Sequence, residues 1–86
     1  MISRKNEAFR LAFRRLPKSV QEQARRAFRI FQSNPYYRSL RFKRVHSAEE
    51  VYSVRVGAGY RALAYRENGT LGWFWSGSQS DYEKLI

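Results

Sequence analysis

The chain has 86 residues, no cysteine and a formal net charge of +10, with 43% hydrophobic and 16% aromatic residues. The lack of cysteine excludes a disulfide framework and cysteine-based zinc sites, the lone His46 cannot build a metal cluster, and no run approaches the roughly 18 apolar residues that span a bilayer. A chain this apolar folds rather than staying disordered, although a domain this short buries only about 60% of the surface its unfolded chain exposes.

In chain order, Met1 opens a polar, charged segment with no signal-peptide pattern, which predicts a cytoplasmic protein. Phe9, Ala12, Phe13 and Leu16 then recur at helical spacing with Arg10, Arg14 and Arg15 on the remaining face, so a first amphipathic helix is expected over about 6–16. Pro17 interrupts it, and Ser19 with Glu22 has the form of a capping box opening a second helix. Val20, Ala24, Ala27, Phe28 and Phe31 form its apolar stripe, and Asn34-Pro35 closes it, because the residue before proline avoids the α region. A helical hairpin over about 6–34 is expected. Its outward arginines, Arg25, Arg26 and Arg29 among them, read as a solvated face.

From residue 40 the pattern changes to short β-rich runs, Leu40–His46, Val51–Gly57, Tyr60–Arg66 and Thr70–Ser76. Asn68-Gly69 is a strong two-residue hairpin signal, and Gly57-Ala58-Gly59 is a second tight connection. An antiparallel meander of about four strands, over about 40–76, follows, with a short helix or tail over 77–86. The expectation is a single α+β domain, 1–86, with the hairpin packed on a twisted antiparallel sheet.

Turn geometry sets an expected register. If Asn68 and Gly69 form the loop, Glu67 faces Thr70 and Arg61 faces Ser76; a three-residue turn at 57–59 pairs Val56 with Tyr60 and sets Arg55 opposite Arg61. One wet row then carries Arg55, Arg61 and Ser76, with Phe74 on the same face. Tyr52, Val54, Val56, Tyr60, Ala62, Ala64, Trp73 and Trp75 make the dry face.

The basic residues are unevenly spread: residues 1–44 hold 13 Lys and Arg against 2 acids, whereas 45–86 hold 4 against 5. Such a basic arm favours polyanions and implies steep salt dependence. Within the second half, two guanidinium groups directly opposite on antiparallel strands repel. Either the neighbouring acids Glu49, Glu50 or Glu67 compensate them, or a bound phosphate does, since each fork grips phosphate oxygens with parallel hydrogen bonds. Leu40-Arg41-Phe42-Lys43-Arg44 interleaves cations with apolar residues, as a nucleic-acid groove does and as a guarded edge strand also does. Cysteine nucleophile, P-loop, second histidine and evident carboxylate pair are all missing. The cleavage chemistry left open is attack by an RNA 2′-hydroxyl on the adjacent phosphate, which needs proton carriers and positive charge for the developing phosphorane.

Leu16-Pro17, Asn34-Pro35, Leu40-Arg41-Phe42-Lys43, Tyr52-Ser53-Val54-Arg55-Val56, Tyr60-Arg61-Ala62 and the block from Trp75 to Tyr82 together resemble the RelE/ParE toxin superfamily over nearly the whole chain. The resemblance implies a toxin held by a cognate antitoxin protein. Many relatives cut mRNA on the ribosome, and ParE-like relatives act on DNA gyrase instead, so fold does not settle the target. It also implies catalytic roles for Arg55, Arg61 and Tyr82, with Arg41, Lys43, Arg44, Ser76 and Gln79 holding RNA, and no metal or other cofactor. Gln79 departs from the pattern: close relatives tend to carry histidine there, and an amide does not titrate near neutral pH, so either Tyr82, Lys43 or Glu49/Glu50 does the proton work or the domain is a non-cleaving RNA-binding module.

Overall fold

The computed structural model describes residues 2–85; Met1 and the last residue of the expected tail, Ile86, lie outside them. The first element is a strand that the sequence pattern does not announce, β1 (Ile2–Lys5), all of it exposed. Asn6 caps α1 (Glu7–Arg14), its side chain accepting from the Phe9 N–H at 2.8 Å. The second helix, α2 (Lys18–Ser33), begins at Pro17 without a side-chain cap, so the Ser19 capping box is not used. Gln21 serves the turn instead, its amide donating to the Leu16 carbonyl at 3.0 Å. As the Asn34-Pro35 pair requires, α2 stops with Asn34 extended.

The run 40–46 does not form the strand expected of it. Arg38–Leu40 is a single 3-10 turn that buries Leu40, Arg41 adopts a left-handed conformation with φ 47°, and only Lys43–Arg44 extends, as β2. There follow β3 (Val51–Gly57), β4 (Tyr60–Glu67) and β5 (Thr70–Ser78), and the chain closes with α3 (Gln79–Leu85). Asn68 (φ 51°) and Gly69 (φ 77°) both sit left-handed at the β4–β5 hairpin, the conformation that a type I′ turn demands.

The sheet has five strands in the order β1-β5-β4-β3-β2 and is mixed, because β1 pairs parallel to β5. The α+β architecture expected from the sequence is present; the strand count and the purely antiparallel pairing are corrected. The β3–β4 turn is Ala58-Gly59 with Gly57 opposite Tyr60, leaving Val56 unpaired, yet Arg55 still faces Arg61.

The larger correction concerns β5. Pairs from Ala64↔Trp73 to Glu67↔Thr70 keep the expected register, but an irregularity between Leu63 and Ala64 places Leu63 opposite Trp75, Ala62 opposite Ser76 and Arg61 opposite Gly77. Phe74 is the extra residue of a bulge. Trp73 remains on the helix side, whereas Trp75 moves with Phe74 to the other face, and Ser76 goes to the helix side.

Helices α1 and α2 cover the face carrying Val54, Val56, Ala62, Ala64 and Trp73, which pack with Phe9, Ala24, Ala27, Phe31 and Leu40 into the main core. Trp73 is its centre: the rings of Phe28 and Phe31 meet it edge-on at 5.2 and 5.5 Å, the arrangement that the aromatic quadrupole favours. A second cluster of Val51, Leu63 and Tyr82, with Phe74 and Trp75 against it, lies on the opposite face beneath α3. No helix among the described residues is long and apolar enough to cross a membrane.

Candidate functional site

On this second face, β3 presents Ser53 and Arg55 and β4 presents Arg61 and Leu63, directly across from one another. The opposing arginines are therefore a feature of the folded chain. Among the described residues the ion pairs are Arg44–Glu50 and Lys84–Asp81, and neither touches Arg55 or Arg61. The neighbouring acids do not balance them. Glu49 accepts from the Tyr65 hydroxyl at 2.7 Å, Glu50 accepts from the Tyr52 hydroxyl at 2.9 Å, and Glu67 is exposed at the far hairpin. The Glu49 carboxylate raises the Tyr65 phenol above its ordinary pKa of 10.0, by accepting its hydrogen bond and by its charge.

Arg61 is held by several groups, all aiming one guanidinium. Its Nη1 donates to the buried Ser53 hydroxyl at 2.7 Å and its Nε to Gln79 Oε1 at 2.8 Å. The Gln79 amide is oriented in turn by Glu83, to which it donates at 3.4 Å. Beneath the guanidinium lies the Tyr82 ring, with its centroid 5.2 Å from Cζ, a cation–π contact. A guanidinium carries five N–H donors, so part of the fork is left for a ligand.

Helix α3 is positioned by its first residue, whose N–H donates to the Gly59 carbonyl at 2.7 Å, and by Ser78, whose hydroxyl accepts from the Asp81 N–H at 3.1 Å. Opposite Arg61 stands Gly77, and a Cβ there would come within 2.5 Å of the Trp75 ring. Only glycine lets the Trp75 ring lie over this position. Register also brings Lys43 to this face, since it pairs with Ser53, and Lys43 is exposed.

The structure thus gathers Arg55, Arg61, Gln79, Tyr82 and Lys43. It does not bring Ser76 or Arg44 to them. Ser76 lies on the helix side and donates to the Arg61 carbonyl at 3.0 Å, supporting the strand rather than the site. Arg44 pairs with Tyr52, points away from this face, and ties the 46–50 loop through the His46 and Glu49 carbonyls. Arg41 is exposed on the left-handed turn before β2. Sequence reasoning missed Ser53 and Gly77; a small polar residue within Tyr52–Arg55 and a glycine after two tryptophans were the available signals. Among the described residues no group of three or more His, Cys, Asp or Glu side chains is placed to hold a metal ion.

Comparison with known proteins adds to this geometry. A family described as the ParE-like toxin domain matches residues 18–84, and no curated protein sequence matches. The fold is similar to the RelB–RelE antitoxin–toxin complex of Methanococcus jannaschii, with a TM-score of 0.76 at 15% identity over 96% of this chain and 98% of that one. It is similar also to the isolated Escherichia coli RelE toxin (0.68, 13% identity, 99% and 98% covered) and to the RelBE2 toxin–antitoxin complex of Mycobacterium tuberculosis (0.69, 20% identity, 90% and 95% covered).

Proposed function

Because the chain belongs to the ParE-like toxin domain family within the RelE/ParE superfamily, we propose that it is the toxin of a type II toxin–antitoxin pair and that it cuts mRNA on the ribosome. The observation that carries this reading is the Arg55–Arg61 pair, with no acid paired to either arginine among the described residues and Arg61 steadied by Ser53, Gln79 and Tyr82. Two like charges on facing strands call for an anion, and a phosphodiester supplies it in the form that two guanidinium forks bind best.

In such a site Arg55 and Arg61 hold the scissile phosphate and stabilise the charge that grows on it as the 2′-hydroxyl loses its proton and attacks, while the bond to the 5′-oxygen breaks and that oxygen takes up a proton, leaving a 2′,3′-cyclic phosphate and a free 5′-hydroxyl. Tyr82 and Lys43 are the side chains of this face able to carry protons. Primer extension on translated message in cells expressing the chain should reveal new 5′ ends inside codons. Losing one such charge-stabilising donor in Arg61→Ala should lower cutting by roughly 100-fold or more. Growth arrest with intact message would overturn this reading.

An antitoxin partner has a surface ready for it. Between α1 and α2 lies a groove of about 510 Å³ whose floor includes Phe9, Phe28 and Trp73 and whose rim carries Lys5, Arg10, Arg14, Arg25 and Arg29, with no acid. Lys5 and Arg25 rest over the rings of Phe28 and Phe13 at 5.4 and 5.2 Å. An acidic, amphipathic segment complements such a lining, and the similar structures from M. jannaschii and M. tuberculosis are toxin–antitoxin complexes.

Gln79 favours a second reading, a ParE-like action on DNA gyrase, because the amide bonded to Arg61 cannot titrate. That reading requires DNA synthesis to stop before translation after induction; the RNA-cutting one requires the reverse.

A further inference from the structure

The β2 strand is so short that it covers only Tyr52 and Ser53 of β3. Beyond it the outer edge of β3 has no strand beside it, and a cleft of about 280 Å³ opens there, lined by Gln23, Arg26, Ile30, Ser39, Arg55 and Gly57 among others. Helix α2 lies close against the strand at this place. A Cβ on Gly57 would stand 2.6 Å from Gln23 Oε1, the tip of an exposed side chain of α2. Arg26, three residues after Gln23 and hence on the same side of α2, reaches the same cleft.

No aspartate or glutamate lines the cleft. Among the described residues neither Arg26 nor Arg55 enters an ion pair, and Glu22, one turn before Arg26, does not reach it. Two cations lining one cleft, with no ion-pair partner for either among the described residues, favour a bound anion. Arg55 belongs both to this cleft and, through its register, to the pair with Arg61. An anion here therefore adjoins the one at Arg61, and the ligand class with anions at successive positions along one chain is a nucleic-acid strand.

We propose that Arg26 and Arg55 form a second phosphate subsite at the open edge of β3, which takes a backbone phosphodiester of single-stranded RNA flanking the phosphate held at Arg61. This rests on the RNA reading above and adds α2 to the binding track. The arginine of the solvated helical face thereby acquires a function that its sequence context does not signal.

Binding of a dye-labelled single-stranded oligoribonucleotide, followed by fluorescence anisotropy across a salt series, tests it. Arg26→Gln should weaken binding roughly 5-fold at about 0.1 M salt and lower the slope of log affinity against log salt by about 0.7, one phosphate contact on a single strand. Lys18→Gln, an equal loss of charge on an exposed residue of the same helix, should change the affinity by less than about 2-fold. If Arg26→Gln behaves like Lys18→Gln while wild-type binding is intact, the subsite is wrong and the RNA reading stands. If Arg26→Gln shows its expected loss but Arg61→Ala still cuts message, the subsite stands and the cutting assignment falls. A wild-type chain with no measurable affinity for the oligoribonucleotide overturns the subsite, whereas cutting on the ribosome stands or falls by primer extension.

Discussion

Replacing Arg55 with glutamine should make the free protein more stable while impairing its function. Arg55 faces Arg61 across β3 and β4 with no carboxylate paired to either among the described residues, and a like-charged cross-strand pair costs about 0.2–1 kcal/mol. In a chain of this length that converts to a rise in Tm of about 1 to 6 °C. The repulsion is electrostatic, so the gain should be largest at low ionic strength and disappear near 1 M salt, where the screening length falls to about 3 Å. Thermal unfolding of wild type, Arg55→Gln and Lys18→Gln at both salt concentrations checks this. The lysine variant controls for the lower overall charge, since each removes one unit from +10. Adding inorganic phosphate should narrow the gap, because an anion that binds only the native pair stabilises wild type preferentially. An Arg55→Gln variant that is less stable than wild type at low salt, or equally stabilised at both concentrations, refutes the argument that this pair awaits an anion.

Ser53→Ala should destabilise by about 1 kcal/mol, at the low end for a hydrogen bond to a charged group because Arg61 is half-exposed, and a double-mutant cycle with Arg61→Ala in urea should show coupling rather than additivity. Trp73→Ala, which empties the centre of the main core, should cost about 3–5 kcal/mol, much of the stability of a domain this size, and should be read from the denaturation midpoint. Tyr65 binds its proton more tightly when folded than unfolded, so its contribution is fully present below about pH 10 and is lost as pH rises through the folded value. Phenolate absorbance with denaturation at high pH should show that loss in wild type and not in Tyr65→Phe.

Several elements were legible because short-range rules decide them. The apolar stripes of both helices, the stop at Asn34-Pro35 and the Asn68-Gly69 turn are local events, and the turns alone set Arg55 against Arg61. Three features were not. Ile2–Lys5 is exposed throughout and pairs with residues near the other end of the chain, so it shows no alternation and no neighbouring turn. Arg41 takes a left-handed conformation that its residue type seldom adopts, which breaks the run 40–46. Trp73-Phe74-Trp75 places three large rings in succession, which period-two alternation cannot divide between two cores. The bulge resolves that by sending one ring to the helices and two to α3, and it carries Ser76 off the face where simple counting puts it. Gln79 and Tyr82 meet Arg61 only because the Gly59 carbonyl anchors the first turn of α3.

The parallel ladder between β1 and β5 has a consequence for how the protein is made. Ile2–Lys5 is synthesised well before its partner Thr70–Trp73, and α3, which completes the Arg61 site, follows later still. The hairpin of helices can form early from local contacts, but the sheet waits for a pairing of long sequence separation, the kind that slows folding. The arginine site therefore cannot exist until residues 70–82 have followed the helices off the ribosome, which separates synthesis of the toxin's hairpin from its action and leaves an interval in which an antitoxin can engage the folding protein.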